Sequence, residues 1–262
     1  MTKFPEDIVG IAAAIRAAYV TEPISPIRTR LAFHEVDTAY DIQEANTSYW
    51  LKVGRRIVGC KIGLTSPAVQ KQLGVDRPDF GILFADMQVA EDEKIELVRV
   101  LQPRIEAEVA FEIGSDIDAT DPTPEDIIRA TAFVMPALEI VGSRIQNWDI
   151  SIVDTIADNA SSALFVIGKE KRRLEGLDLS EVTMRMTRLG EVVSQGKGSA
   201  CLDNPLNAVA WLASELGQRG RPLRAGDIVL SGALGPMVAV TSGDEFEASI
   251  SGLGTVSAHF AK

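Results

Sequence analysis

The stretch Arg104-Ile-Glu-Ala-Glu-Val-Ala-Phe alternates between apolar and charged side chains. Successive side chains of a β-strand point to opposite faces of the sheet, so this alternation predicts a strand. Every second residue from Ile105 to Phe111 is apolar, and that face can pack into a core. Glu106 and Glu108 then share the opposite face. Burying two neighbouring carboxylates unpaired is costly, so the pattern indicates either a solvent-exposed strand face or a site where a cation compensates both charges.

Glu139 is the single charge in a second apolar stretch, Phe133-Val-Met-Pro-Ala-Leu-Glu-Ile-Val-Gly. A carboxylate inside such a run is expensive to bury unless it is paired or binds a ligand. With Glu106 and Glu108 it would provide three carboxylates, the hard oxygen ligands that suit Mg²⁺ or Mn²⁺ better than Zn²⁺. We therefore predict that the three glutamates hold a divalent cation, although sequence spacing alone does not show that they converge.

Lys61 lies in Gly59-Cys-Lys-Ile-Gly-Leu-Thr, a predicted strand that enters a turn. Alternation places Lys61 on the same face as Gly59 and Gly63, which leave space around the ammonium group for a ligand. The alternative is an exposed lysine on an edge strand. Downstream, Asp79 follows a Gly- and Pro-containing loop, where it is either a turn-forming residue or an acid of the pocket.

The remaining pattern predicts an α+β fold with many strands, few helices and no regular β–α alternation. Two amphipathic helices are predicted near residues 8–19 and 38–53, the second with Asp37 as a candidate cap, and they suggest a helical lobe over residues 1–55 followed by a catalytic domain over residues 56–262. Two further helices are expected at Glu125–Ala132 and Pro205–Leu216. The predicted strands are Ile57–Leu64, Arg104–Ile113, Phe133–Val141, Ala163–Ile167, Val182–Arg188, Asp227–Ser231, Met237–Thr241 and Phe246–Phe260.

The composition excludes several classes of partner. The chain has 262 residues and a net charge of −11, which argues against nucleic acid or an anionic membrane as the main partner. No apolar run approaches the roughly 20 residues that span a bilayer, and no signal peptide is evident. Only two cysteines are present, without metal-ligand spacing, so a reducing, cytoplasmic location is expected.

Common catalytic motifs are also missing. The sequence has no phosphate-binding P-loop, no strand-linked dinucleotide fingerprint and no nucleophile elbow. Its two histidines, His34 and His259, lie near opposite ends and outside every stretch described above. A Ser–His–acid triad is therefore disfavoured, and chemistry that depends on a cation and carboxylates remains.

The sequence resembles the bacterial 2-hydroxypenta-2,4-dienoate hydratases, also called 2-keto-4-pentenoate hydratases, of the fumarylacetoacetate hydrolase superfamily. The resemblance covers nearly the whole chain. It is carried by the stretch from Gly59 to Gly81, by Leu101-Gln-Pro-Arg-Ile-Glu-Ala-Glu, by Pro136-Ala-Leu-Glu-Ile-Val-Gly-Ser-Arg-Ile, by Asp158-Asn-Ala-Ser-Ser and by Ser231-Gly-Ala-Leu-Gly-Pro-Met. It implies a mixed β-roll core, a divalent cation (Mg²⁺ or Mn²⁺), a role in the meta-cleavage degradation of aromatic compounds and a homo-oligomer.

The resemblance also assigns roles to residues. It implies metal ligation by Glu106, Glu108 and Glu139, catalytic roles for Lys61 and Asp79, and substrate contact for Ser161. The implied reaction adds water to 2-hydroxypenta-2,4-dienoate and gives 4-hydroxy-2-oxopentanoate. Many hydrolases of the superfamily have an aspartate as third ligand and a histidine that activates water. Here a glutamate takes the third place and no motif contains a histidine, which favours the hydratase branch.

Three alternatives remain open from the sequence. One is 4-oxalocrotonate decarboxylase, a related enzyme that would need a second cationic group for the distal carboxylate of its substrate. Another is a hydratase of a longer 2-oxo-enoic diacid. The third, from a different class, is an inactive partner subunit that associates with other pathway enzymes, against which the intact glutamates and Lys61 argue.

Overall fold

A computed structural model describes residues 5–31, 35–66, 70 and 77–262. Within this part of the chain the helices are α1 Glu6–Ala18, α2 Val36–Lys52, α3 Pro124–Ala130, α4 Ile152–Ala157 and α5 Pro205–Gln218. The strands are β1 Ile57–Gly63, β2 Asp79–Phe84, β3 Gln88–Val89, β4 Lys94–Ile95, β5 Arg104–Ile113, β6 Thr131–Val141, β7 Ser162–Ile167, β8 Thr183–Arg188, β9 Glu191–Lys197, β10 Ile228–Ala233, β11 Val238–Ala239, β12 Glu245–Ile250 and β13 Gly254–Phe260.

Two mixed sheets form the core. The larger runs in the order β2–β1–β10–β5–β6–β7–β3, with β11 beside β5, and the smaller runs β4–β13–β12–β8–β9. The pairs β1–β10, β3–β7 and β4–β13 are parallel, and the other pairs are antiparallel. Strands β12 and β13 pack against β6, so the inner apolar faces of the two sheets bury each other. This arrangement agrees with the predicted α+β fold with a mixed β-roll.

Local sequence accounts for the helix starts around this core. Thr123 caps α3 by accepting from the Asp126 backbone N–H, and the Asp126 side chain accepts in return from the Thr123 backbone. Asn204 caps α5, whose first residue is Pro205. Helix α2 begins at Val36, so the prediction of Asp37 as its cap was wrong. Asp37 lies in the first turn, where its negative charge still suits the helix dipole.

The N-terminal helices pack onto the rest of the chain. Helix α1 packs on α2, and α2 packs in turn on α4, which lies next to the cavity described below. The division into a lobe over residues 1–55 and a catalytic domain over 56–262 stays a prediction. No helix in the described part of the chain is long and apolar enough to cross a bilayer.

Several predictions of secondary structure were wrong or incomplete. The expected strand Phe246–Phe260 is a hairpin, because Gly252 at φ 76° reverses the chain between β12 and β13. The loop predicted before Gly81 gives way to strand β2 from Asp79 onward, and residues 71–76 lie outside the described residues. Strands β3, β4 and β9 and helix α4 were not predicted. The expected strand Met237–Thr241 shortens to Val238–Ala239.

Candidate metal centre and cavity

The three glutamates converge on the larger sheet. Glu106 and Glu108 share one face of β5, as the alternation predicted, and antiparallel pairing places Glu106 opposite Glu139 of β6. One carboxylate oxygen from each lies within 4.8 Å of the others. Glu106 is 7% exposed, and Glu108 and Glu139 are fully buried. The solvent-exposed strand face considered from the sequence is therefore wrong for this pair.

Several of these carboxylate oxygens lack a donor. Glu108 Oε2 accepts a hydrogen bond from the Gly232 backbone N–H at 2.7 Å, but Glu108 Oε1 and both Glu139 oxygens accept none from the residues that the structure describes. Lys61 Nζ lies 3.2 Å from Glu139 Oε2, which is an ion-pair distance without hydrogen-bond alignment. One ammonium group thus faces three buried carboxylates. Unsatisfied buried acceptors and excess negative charge are what a divalent cation would compensate, so the residues fit such an ion.

Burial raises the pKa values of the three glutamates, and mutual repulsion adds to this effect at two of them. Burial, together with the charge of Glu139, raises the pKa of Glu106 to about 7. The same two effects raise the pKa of Glu108 well above its usual value. Burial also raises the pKa of Glu139, although the nearby Lys61 ammonium opposes this. Without a cation, it is therefore energetically costly to keep these three buried carboxyl groups charged.

Lys61 is buried, with 2% of its side chain exposed, so the alternative of an exposed edge lysine was wrong. Strand β1 lies between β2 and β10 rather than at an edge. Burial alone would lower the pKa of Lys61, but the charges of Glu139 and Asp79 raise it above its usual value, so the side chain is a cation. Its Nζ donates a hydrogen bond to the Ala160 carbonyl at 3.0 Å.

The two glycines that flank Lys61 have different effects. A Cβ at Gly63 would lie 2.2 Å from Asp79 Oδ1 and 3.4 Å from Lys61 Nζ, so this glycine does leave the space that the sequence predicted. A Cβ at Gly59 would instead lie 1.8 Å from the Ile228 carbonyl oxygen. Gly59 is therefore required for the close approach of β10, and the prediction that it clears space around the ammonium was wrong.

Asp79 begins strand β2 opposite Gly63, so its interpretation as a turn residue was wrong. Asp79 Oδ2 accepts a hydrogen bond from the Thr155 hydroxyl at 3.1 Å, and Oδ1 has no donor within the described ranges of the chain. Burial raises the pKa of Asp79, against the opposing charge of Lys61. The Ser161 hydroxyl lies 3.4 Å from the Thr155 hydroxyl. Lys61, Asp79 and Ser161 thus lie on one polar wall.

An irregular turn fixes this wall. Asn159, Ala160 and Ser161 have φ values of 55°, 50° and 56°, a left-handed conformation that costs non-glycine residues about 1–3 kcal/mol each. The Asn159 side chain accepts from the Ile82 backbone N–H and donates to the Ile82 carbonyl, which ties the turn to β2. A Cβ at Gly81 would lie 2.3 Å from the Asn159 carbonyl oxygen, so only glycine permits this approach.

The polar wall and the carboxylates border one cavity of about 450 Å³. Lys61, Asp79, Glu106 and Ser161 line it directly, whereas Glu108 and Glu139 are not exposed to it. The other lining residues are Gly63, Leu64, Thr65, Ser66, Arg104, Val141, Asn147, Trp148, Ile150, Thr155, Ala160, Ala233, Pro236 and Met237. The structure thus brings all six predicted site residues to this cavity or directly beneath it.

Sequence reasoning did not identify several functional groups of the cavity. Thr155, the Ala160 carbonyl and the Gly232 amide contact predicted residues, but no local pattern marks them. The role of Arg104 as a cavity cation was also not recognised, although its position two residues before Glu106 on one strand face was a usable signal. His259 lies on β13 of the other sheet, and His34 lies outside the described residues.

Known proteins resemble this chain over most of its length. The family model for the fumarylacetoacetate hydrolase C-terminal region matches residues 60–261. The 2-keto-4-pentenoate hydratase 2 of Dechloromonas aromatica (strain RCB) is 57% identical over 251 residues, covering 95% of this chain and 96% of that protein. The 2-hydroxyhexa-2,4-dienoate hydratase of Comamonas testosteroni is 40% identical over 251 residues, covering 95% of this chain and 94% of its own.

A solved structure has the same architecture. The 4-oxalocrotonate decarboxylase from Pseudomonas putida G7, complexed with magnesium and adipate, superposes with a TM-score of 0.94 at 33% identity, and the match covers 99% of both chains. The sequence identity to the hydratases is higher than that to this decarboxylase. The chain therefore belongs to the 2-keto-4-pentenoate hydratase family of the fumarylacetoacetate hydrolase superfamily.

Proposed function

We propose that this protein is a metal-dependent hydro-lyase that adds water to 2-hydroxypenta-2,4-dienoate and forms 4-hydroxy-2-oxopentanoate in the meta-cleavage degradation of aromatic compounds. The observation that carries the proposal is the buried trio of Glu106, Glu108 and Glu139, which lies beside the Lys61 ammonium and has carboxylate oxygens with no donor among the described residues. The hydratases that resemble the chain support the reaction.

The three glutamates are proposed to hold Mg²⁺ or Mn²⁺. An all-carboxylate set suits these hard cations, and the related decarboxylase contains magnesium or calcium. When bound, such an ion supplies Lewis acidity that polarises the 2-oxo group and stabilises negative charge on it. Glu106 faces the cavity, and Glu108 keeps its orientation through the Gly232 amide.

The polar wall is proposed to move protons. Conversion of the dienol to its conjugated 2-oxo form places a proton on C5, and addition of water at C4 places another on C3. Lys61 is a cation held by the Ala160 carbonyl, and Asp79 is a buried carboxyl group whose Oδ1 no described residue hydrogen-bonds. We assign the proton transfers to these two residues together. Ser161 and Thr155 offer hydroxyl groups to the substrate or to the attacking water.

The test is a hydration assay with purified protein, Mg²⁺ or Mn²⁺, and freshly generated 2-hydroxypenta-2,4-dienoate. We expect loss of the dienol absorbance and formation of 4-hydroxy-2-oxopentanoate, both abolished by a chelator and restored by the metal. Glu106→Gln should be inactive. Glu112→Gln is a matched control, because Glu112 lies on the same strand but pairs with Lys171 outside the cavity. Full activity of Glu106→Gln after chelation would refute the metal role.

Decarboxylation of 4-oxalocrotonate is the second candidate. It requires a cation for the distal carboxylate, and Arg104 is a second cation in the cavity besides Lys61. Release of CO₂ from 4-oxalocrotonate without hydration of the dienoate would establish this candidate instead. Association into a homo-oligomer, and with other enzymes of the pathway, stays a prediction.

A further inference from the structure

Arg104 lines the cavity but belongs neither to the glutamate trio nor to the polar wall. It shares the face of β5 with Glu106 and Glu108 and precedes Glu106 by one strand repeat, about 7 Å. Its guanidinium lies 4.5 Å from the Trp148 ring centroid, and Nη1 lies 3.7 Å from Met237 Sδ. No carboxylate among the described residues is within ion-pair distance of it. Most of its five N–H donors are therefore available to a ligand.

The Trp148 ring, which stacks on Arg104, lies in a loop that several hydrogen bonds hold in place. Gln102, Asn147 and Trp148 have φ values of 51°, 59° and 55°, a costly conformation for non-glycine residues. The Gln102 amide donates to the carbonyls of Ser143 and Ile145 and accepts from the Asn147 backbone N–H. The Trp148 indole donates to the Gln102 carbonyl at 2.9 Å. The Trp148 ring is thus held in position without a ligand, as expected of a preorganised binding group.

The position of Arg104 relative to Lys61 defines a direction in the cavity. Lys61 pairs with Leu230, which pairs with Ala110, so the Lys61 backbone is level with Ala110 on β5. Arg104 lies at the other end of the same strand. The glutamate trio therefore lies between Arg104 on one side and the polar wall, which contains Lys61 and Asp79, on the other.

We infer that Arg104 binds the carboxylate of the 2-oxo acid substrate and thereby directs its carbon chain toward Lys61 and Asp79. This inference rests on the proposed function for the identity of the anion: a five-carbon 2-hydroxydienoate carries a single carboxylate. A guanidinium fork matches a carboxylate in shape and donates charge-assisted hydrogen bonds, which are stronger than neutral ones. Stacking on Trp148 fixes the plane of the fork and so the orientation of the bound carboxylate.

The test compares two ligands and avoids turnover. Metal-loaded protein is titrated calorimetrically with pyruvate and with pyruvamide, its neutral amide. In Arg104→Met, binding of pyruvate should weaken roughly tenfold or more, and binding of pyruvamide should change little. Arg104→Lys, which keeps the charge but loses the fork, should fall between. Arg173→Met is the matched control, because Arg173 also lies over an aromatic ring, that of Phe133, but on the exposed surface outside the cavity.

Two results would overturn the inference. One is equal weakening of both ligands in Arg104→Met, because the loss would then not depend on the carboxylate. The other is weakened binding of 2-oxoglutarate, a diacid, with unchanged binding of pyruvate, because Arg104 would then contact a distal carboxylate. Melting temperatures verify the fold of each variant, and Arg104→Lys serves if Arg104→Met does not fold. Failure of the proposed function is a separate readout, because it would appear as no hydration by the wild-type protein.

Discussion

Two buried cation–carboxylate pairs, Arg144–Asp158 and Lys61–Glu139, are equally shielded from solvent: each cation is 2% exposed and each carboxylate is fully buried. In the first pair, the Arg144 guanidinium and backbone N–H donate to both Asp158 carboxylate oxygens, and the guanidinium also donates to the Asp158 carbonyl. The Tyr19 ring covers the guanidinium at 4.2 Å. In the second pair, neither Glu139 oxygen accepts a hydrogen bond from any part of the chain that the structure describes.

The difference distinguishes a structural pair from a binding site. A buried ion pair is stable only when its remaining donors and acceptors are satisfied, and Arg144–Asp158 meets that condition within the chain. Among the described residues, Lys61–Glu139 does not meet it, and Glu106 and Glu108 also lie close enough to share the charge of Lys61. We therefore expect the unpaired carboxylate oxygens of this second pair to bind a ligand that the chain itself does not supply.

Among residues that do not bind the metal, Lys61 should have the largest effect on catalysis when it is removed. We expect Lys61→Met to lower the rate of hydration by about 10²- to 10⁴-fold, the usual contribution of a proton-transfer group. Binding of Mn²⁺ should persist or tighten, because an ammonium that repels the cation is lost. Initial rates at saturating substrate and a Mn²⁺ titration measure the two effects. Lys171→Met, which removes an exposed lysine paired with Glu112, is the control. Loss of Mn²⁺ binding in Lys61→Met would contradict the assignment.

Removal of Arg144 should act on stability instead. Arg144→Met leaves Asp158 buried without its partner, and we expect the free energy of unfolding to fall by about 3–5 kcal/mol. Denaturant unfolding measures this loss. Mn²⁺ should not reverse it, whereas any stability lost in Lys61→Met should return with Mn²⁺, because the cation then offsets the trio. Arg129→Met, which breaks an exposed ion pair, should leave stability unchanged. If Mn²⁺ restored the stability of Arg144→Met, the two pairs would not differ in the way described.

The turn beside Lys61 connects the two regions, because Asp158 precedes it and the Ala160 carbonyl holds Lys61. Gly81→Ala places a Cβ against the Asn159 carbonyl and should cost about 1–3 kcal/mol of stability by overpacking. Hydration should also slow, because the turn would shift. Gly217→Ala, in helix α5 with open space around it, should retain full activity. Full activity in Gly81→Ala would show that the position of the turn does not matter.

Sequence patterns predicted the parts of the site that depend on local alternation. Glu106 and Glu108 follow from the period of a strand, and Glu139 from the cost of a charge in an apolar run. The prediction for Asp79 remained ambiguous, because Pro78 and Gly81 resemble turn residues, whereas Gly81 is needed for a contact with Asn159 far along the chain. Contacts between such distant segments have no local pattern.

Arg104 illustrates the same limit. Its face on the strand was predictable, but its contact with Trp148 was not, because the loop of Trp148 has a backbone conformation that its residue types do not favour. The hairpin within residues 246–260 was missed for a simpler reason, since apolar residues continue on both sides of the turn at Gly252. A single glycine was too weak a signal to divide that run.

The central claim is that the three buried glutamates bind a divalent cation. It is tested most directly at Glu108, which does not line the cavity. Glu108→Gln keeps an acceptor for the Gly232 amide but removes one buried negative charge. Calorimetric titration of metal-free protein with Mn²⁺ should show one site in the wild type and in Glu112→Gln, and binding weakened more than about tenfold in Glu108→Gln. Without metal, Glu108→Gln should melt at a higher temperature than the wild type, because the variant avoids the cost of burying this carboxylate or of protonating it. Equal Mn²⁺ binding by all three proteins would contradict the account.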